Sequence, residues 1–178
     1  MFKEFSDYSR IWIYGFERTL SSEEVKIVKS HLDNFINVWH SHKERVIGAY
    51  EILYNQFVIL AAETSISGCS IDSSIHVFKK LKNEYQLNAL NQNLVYYKDE
   101  TGVSTLSRDE FQTLVDLDKI NYETIVFNPT IYMLGVFRAG QWELPFYKSW
   151  HSLVFKKSAW TNTNIEAVEN FKPRMTGT

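Results

Sequence analysis

Cysteine occurs once in this chain, at Cys69, so no disulfide can form within it, and a reducing compartment, the cytoplasm, is the expected location. Proline occurs three times and glycine seven times, which excludes collagen-like and low-complexity chains. Long apolar runs are missing too: the longest, residues 57–62, falls far short of the ~20 residues that cross a bilayer. The first residues carry no apolar stretch of signal-peptide length, so neither a membrane partner nor export is expected. Charge of one sign is lacking as well. The net charge is −2 and the pI about 6.2, without the basic field by which proteins neutralise nucleic-acid phosphates. Lys79, Lys80 and Lys82, like Lys156 and Lys157, read as solvated faces, and no nucleic-acid partner is expected.

A further absence concerns ATP. The loop that cradles phosphates needs a glycine, four residues, then Gly-Lys followed by Ser or Thr. Here every glycine is followed by something other than lysine: Phe16, Ala49, Cys69, Val103, Val136, Gln141 and Thr178. Residues 57–63 imitate the apolar strand that ends in magnesium-binding acids, but Ala62 stands where the Asp would be. The chain is therefore not a P-loop ATPase.

What is present is core material. Hydrophobic residues make up 44% of the 178 positions and aromatics 15%, enough for one packed domain, expected over residues 1–160. Residues 161–178 turn polar, lose periodicity and are expected to form a flexible tail. Residues 10–16 are β-branched and aromatic and read as a buried strand. Ser21 and Glu24 have capping-box spacing. Beyond them Val25, Val28, Leu32, Phe35, Ile36 and Trp39 form one apolar helical stripe.

Residues 45–54 and 57–63 read as a hairpin turning at Asn55 and Gln56, and residues 94–98 and 103–106 as a second one. Between them a helix from a Ser70 cap to about Tyr85 is expected, with Ile71, Ile75, Phe78 and Tyr85 on its buried side. Ser107 and Glu110 repeat the capping box for a short helix through Leu117. Residues 124–128 suggest a strand, 131–138 with 141–147 a third hairpin, and 149–155 a last strand. The expected fold class is α+β: a mostly antiparallel sheet of hairpins with about three helices packed on it.

Chemistry concentrates in the run from Gly68 to His76. A thiol at a helix N-terminus meets free backbone amides and the positive dipole end, which favour thiolate. Asp72 and His76 lie four residues apart on one helical face, with Ser73 beside them and Ser70 near Cys69. Cys69 as nucleophile, His76 as base and Asp72 as orienting carboxylate supply the parts for nucleophilic catalysis. The same face continues into Lys80, as the wet side of any amphipathic helix does, and free cysteine is also a common core residue. Trp150 and His151 are candidate binding residues, with His151 an alternative base if the last strand returns beside that helix. Five histidines occur without His-x-x-x-His or Cys-x-x-Cys spacing, so no metal and no cofactor are expected.

Five segments carry a family resemblance: Arg10-Ile11-Trp12-Ile13-Tyr14, Leu53-Tyr54-Asn55-Gln56-Phe57, Gly68-Cys69-Ser70-Ile71-Asp72 through His76, Thr124-Ile125-Val126-Phe127-Asn128, and Ser149-Trp150-His151. Through them the chain resembles a small uncharacterised bacterial family often labelled ABC transporter ATPase, over residues 10–155. The Gly-Cys-Ser-Ile-Asp run is its most specific part. The resemblance implies a component of a transporter; without a phosphate-binding loop, that role becomes an accessory, non-ATPase factor.

Three functional expectations stand side by side. The first is a non-enzymatic cytoplasmic interaction domain, binding a protein partner or a second copy of itself. It is motivated by the surplus of aromatics and the lack of a complete catalytic set. The second is a thiol-dependent enzyme or redox sensor built on Cys69. The third is the accessory transporter factor.

Overall fold

The computed structural model describes residues 2–41, 44–63 and 68–157, with residues 68–72 described by their backbone alone. Ser21 and Glu24 form the reciprocal cap their spacing predicts, Ser21 Oγ accepting from the Glu24 amide and Glu24 accepting from the Ser21 amide. They open helix α1 (Ser22–Val38), whose stripe buries Val28, Leu32 and Phe35. Arg18 grips the Glu24 carboxylate with both guanidinium nitrogens, at 2.8 and 2.6 Å. That contact holds the Glu24 pKa down at about 2. Ser107 and Glu110 repeat the device for α3 (Arg108–Asp116).

Strand β1 (Arg10–Gly15) precedes α1. After it come a two-residue pair, β2 (His40–Ser41) with β3 (Glu44–Arg45), and the hairpin of β4 (Gly48–Leu53) and β5 (Phe57–Ala62). The hairpin turns through Tyr54 and Asn55, both in the left-handed region at φ 54° and 48°. Asn accepts that conformation readily and Tyr does not. Tyr54 is held by long-range contacts. Its hydroxyl donates to Glu143 at 2.8 Å, the Lys98 ammonium lies over its ring, and the ring meets Phe127 edge-on.

Helix α2 (Gly68–Tyr85) follows, then the hairpin of β6 (Leu94–Asp99) and β7 (Gly102–Ser107), which leads into α3. The remaining elements are β8 (Ile125–Phe127), the short helix α4 (Leu134–Arg138), β9 (Glu143–Pro145) and the one-turn helix α5 (His151–Val154). The sheets are antiparallel, as expected of an α+β chain, but they are separate. One has the order β1-β5-β4, the other β7-β6-β8-β9.

Side-chain alternation stacks these elements in four layers. Tyr14, Val58, Leu60 and Ala62 face α1 and α2, packing with Val28, Leu32, Phe35, Phe78 and Leu81. The opposite side of the same sheet presents Ile11, Phe57, Ile59 and Ala61 to Tyr96, Phe127 and Trp142 of the second sheet and its connections. The outer side of the second sheet packs Val95 and Val126 against Phe111 and Val115 of α3, with Phe146 and Phe155. The order is helices, sheet, sheet, helices. Strand β5 lies at the centre of the first sheet and is buried at every position.

Two segments differ from expectation. Residues 131–138 and 141–147 do not pair with each other. The first becomes α4, because the N-terminal segment satisfies its backbone: Ser9 and Asp7 carbonyls accept from the Leu134 and Gly135 amides at 3.0 and 2.8 Å. In the second, β9 pairs with β8 instead. The strand expected at 149–155 is replaced by α5, preceded by a 3-10 turn at Phe146–Lys148; Phe155 then enters the third core. Residues 161–178, expected as a tail, lie outside the described residues.

Candidate functional site

Helix α2 begins at Gly68, so Ser70 sits inside its first turn rather than capping it. The side chains of Cys69, Ser70, Ile71 and Asp72 lie outside the described residues. Ser73 and His76 are exposed, on the same side as Lys80. The buried side carries Ser74, Phe78 and Leu81, while Ile75 is half-buried and Tyr85 lies on the surface. Ser74, one position from the expected Ser73, shares a 2.8 Å hydrogen bond with the Tyr14 hydroxyl and ties the helix to β1. Nothing in the spacing separates these two serines. Only the phase of the helix, set by its true start, does so.

His151 belongs elsewhere. It is buried, stacked on Trp150 with ring centroids 3.9 Å apart, and flanked by Phe111 and Phe155. Its Nδ1 shares a 2.7 Å hydrogen bond with the buried Ser149 hydroxyl. Burial, helped by the Arg108 guanidinium, pushes the imidazole pKa down to about 4, so it is neutral at pH 7. The half-buried Trp150 has its indole Nε1 shielded and unpartnered. Serine and histidine here resemble a catalytic pair in composition, but both are packed away from solvent.

The alternative base is also in the wrong layer. The α2 helix packs on the first sheet and His151 on the far side of the second, so both sheets separate His151 from the helix that carries Cys69. The structure brings Trp150 together with His151, and neither with Cys69. Among the described residues no group of three or more His, Cys, Asp or Glu is arranged to hold a metal ion. None of the described helices is long and apolar enough to cross a membrane.

A recess lies where no motif pointed. An open trough of about 710 Å³ runs between α1 and β4, lined among others by Lys29, Asp33 and Ile36 from the helix and Gly48, Tyr50 and Ile52 from the strand. Helix and strand run in opposite directions along it. The Asn55 carbonyl accepts from the Leu20 amide at the start of α1, while the Gly48 Cα faces Trp39 and Ile36 at its end. A Cβ on Gly48 would come 2.7 Å from the Trp39 ring, so glycine is what lets the strand pass under this helix. The Tyr50 hydroxyl donates to Asp33 at 2.6 Å, and burial together with that carboxylate raises its pKa.

Strand β4 is the edge of its sheet. The Glu63 amide donates to the Ile47 carbonyl, and antiparallel ladders alternate hydrogen-bonded with non-bonded pairs. Ala49, Glu51 and Leu53 therefore aim their backbone groups at β5. Gly48, Tyr50 and Ile52 aim theirs outward, along the trough. Sequence reasoning located the hairpin but could not say which strand would be left at the edge.

Compared with protein-family models, curated proteins and solved structures, the chain matches none.

Proposed function

We propose that this chain is a non-enzymatic interaction domain that captures an extended protein segment along β4. The observation that carries the reading is the outward row of N–H and C=O groups on Gly48, Tyr50 and Ile52, beside the α1 trough. An incoming strand completes such an edge with main-chain hydrogen bonds, and side-chain pockets next to it select the sequence. Tyr50, fixed by Asp33, and Ile52 form the floor against which alternate side chains of that segment would pack.

Among the described residues the edge carries one charge, Glu51, and no Pro, Lys or bulge. Natural sheets blunt exposed edges with Pro, Lys, bulges or very short strands. Here the six pairs of β4 with β5 run without interruption, and the strand holds neither Pro nor Lys. Of the other edges, β1 is bridged by Met133 and β9 is three residues long and ends in Pro145, while β7, like β4, is six residues long without Pro or Lys.

Selection from a displayed random-peptide library tests the reading. Extended peptides should be enriched by the wild type, and Ile52→Pro should lose them. The Ile52 amide points away from β5, so the proline removes an outward donor without breaking the sheet. No enrichment, or binding indifferent to Ile52→Pro in a folded variant, would sink the proposal.

A further inference from the structure

We infer that the turn at Tyr54 and Asn55 is a conformational latch, held shut by the Lys98–Glu143 pair of the second sheet. Closed, it fastens the end of β4 to the start of α1. The Gln56 amide donates to the Leu53 carbonyl at 3.0 Å and closes the turn over Tyr54 and Asn55, at φ 54° and 48°. A hairpin turn with both central residues left-handed favours Asn, Asp and Gly there. Asn55 suits its place, whereas the bulky Tyr54 holds its own at a steric cost. Two other left-handed residues, Gln86 and Asp118, follow the ends of α2 and α3, where that conformation is an ordinary way to finish a helix. At Tyr54 the turn demands the conformation and the residue resists it.

What offsets the cost comes from outside the hairpin. The Tyr54 hydroxyl donates to one Glu143 carboxylate oxygen at 2.8 Å and accepts from the Lys98 ammonium at 3.0 Å. Lys98 also pairs with the other carboxylate oxygen and lies 4.8 Å from the Tyr54 ring centroid, while Phe127 meets that ring edge-on. Lys98 stands on β6 and Glu143 on β9, both in the second sheet. On its other side the turn holds α1: the Asn55 carbonyl accepts from the Leu20 amide at 2.8 Å. Gln56 is anchored separately, to the Phe16 carbonyl and Thr105. Relaxation of Tyr54 therefore swings the peptide groups of residues 54 and 55 and leaves both sheets in place. Asn55 and Ile52 line the trough, so loss of the Leu20 bond opens it at that end. The Lys98 and Glu143 side chains are 33% and 24% exposed, within reach of a competing charge. The latch stands on its own geometry; only its use in admitting an extended segment rests on the interaction-domain reading.

Amide hydrogen exchange on the full chain tests this, with Leu20 reading the latch and Leu60 of the central strand reading any opening of the whole sheet. Glu143→Ala removes the acceptor of the Tyr54 hydroxyl and the counter-ion of Lys98. It should speed Leu20 at least roughly tenfold relative to Leu60. Tyr54→Asn gives up the clasp but accepts the left-handed backbone. Leu20 should stay protected in that variant, and stay so when Glu143→Ala is added. A contact that only adds stability would change Leu20 and Leu60 together.

Leu20 exchange that follows Leu60 in Glu143→Ala overturns the inference. So does acceleration by Glu143→Ala that is as large in the Tyr54→Asn chain as in the wild type, since the effect then bypasses the strained residue. Exposure of Leu20 by Tyr54→Asn alone overturns it too, because ring contacts rather than strain would then set the turn. Docking at β4 is read separately, by the peptide selection. A latch that behaves as expected in a chain that enriches no peptide stands, and the interaction-domain reading alone is lost.

Discussion

At the scale of single residues, the buried polar groups serve as ties between elements. Ser74, Ser149, His151 and Gln56 are buried among apolar side chains, and each is tied by hydrogen bonds. Gln56 is typical: its amide donates to the Phe16 carbonyl and to Thr105, joining the first sheet's turn to the second sheet. His151 has the clearest consequence. Its folded pKa of about 4 lies below the unfolded value near 6.5. Above pH 6.5 both states are neutral and the group costs nothing. As pH falls from 6.5 towards 4 the unfolded chain takes up a proton that the folded chain refuses, and roughly 3 kcal/mol of stability is lost. Urea midpoints at pH 7 and pH 4.5 should therefore differ by more in the wild type than in His151→Gln. Parallel pH profiles for the two would show that His151 is not responsible.

At the scale of elements, what was legible tracks how local the cause is. The caps of α1 and α3 involve neighbours three residues apart, and both were readable as Ser-x-x-Glu. Ser107→Ala should cost about 1 kcal/mol, because the Glu110 amide in the first turn of α3 loses the Ser107 hydroxyl it donates to. A chemical melt showing less than a few tenths of that would make the cap ornamental. Hairpins were legible for the same reason, since a short link between two strand-like runs leaves one pairing. The failures share a distant cause. Residues 131–138 are as β-branched and aromatic as a strand, yet carbonyls of Asp7 and Ser9 turn them into α4. At Gly135 a Cβ would lie 2.9 Å from that of Asp7, so the glycine admits the N-terminal segment. One helical turn, as in α5, is too short to show a period of 3.6 residues. The β4 edge escaped for a related reason: a strand is an edge through what fails to join it, and that is decided by the whole topology.

At the scale of the molecule, three cores are stacked through shared sheets rather than separated by linkers. Each contains or abuts a tryptophan: Trp39 in the first, Trp142 in the second, Trp150 beside the third. Because β5 belongs to the first and second cores and the second sheet to the second and third, the layers should unfold together. Single-tryptophan variants reporting from Trp39, Trp142 and Trp150 should give coincident urea midpoints, matching the circular-dichroism transition. A separate early transition at Trp150 would instead mark the α3–α5 layer as an independent unit. The chain order follows the layers, with the first sheet complete before residue 64 and the second begun only at residue 94.

Strand β5 occupies a place in this arrangement that governs how the sequence can drift. Its even positions, Val58, Leu60 and Ala62, are fitted to two helices, and its odd positions, Phe57, Ile59 and Ala61, to another sheet. On an ordinary strand of an α+β domain one face meets solvent, and half of the positions can vary almost freely. Here none can. A change of volume at any of the six disturbs one core directly, and its relaxation through the backbone disturbs the other, so compensating substitutions would have to arise on both sides. In a lineage of such proteins this hexapeptide would be the slowest stretch to change and the surest anchor for aligning distant members.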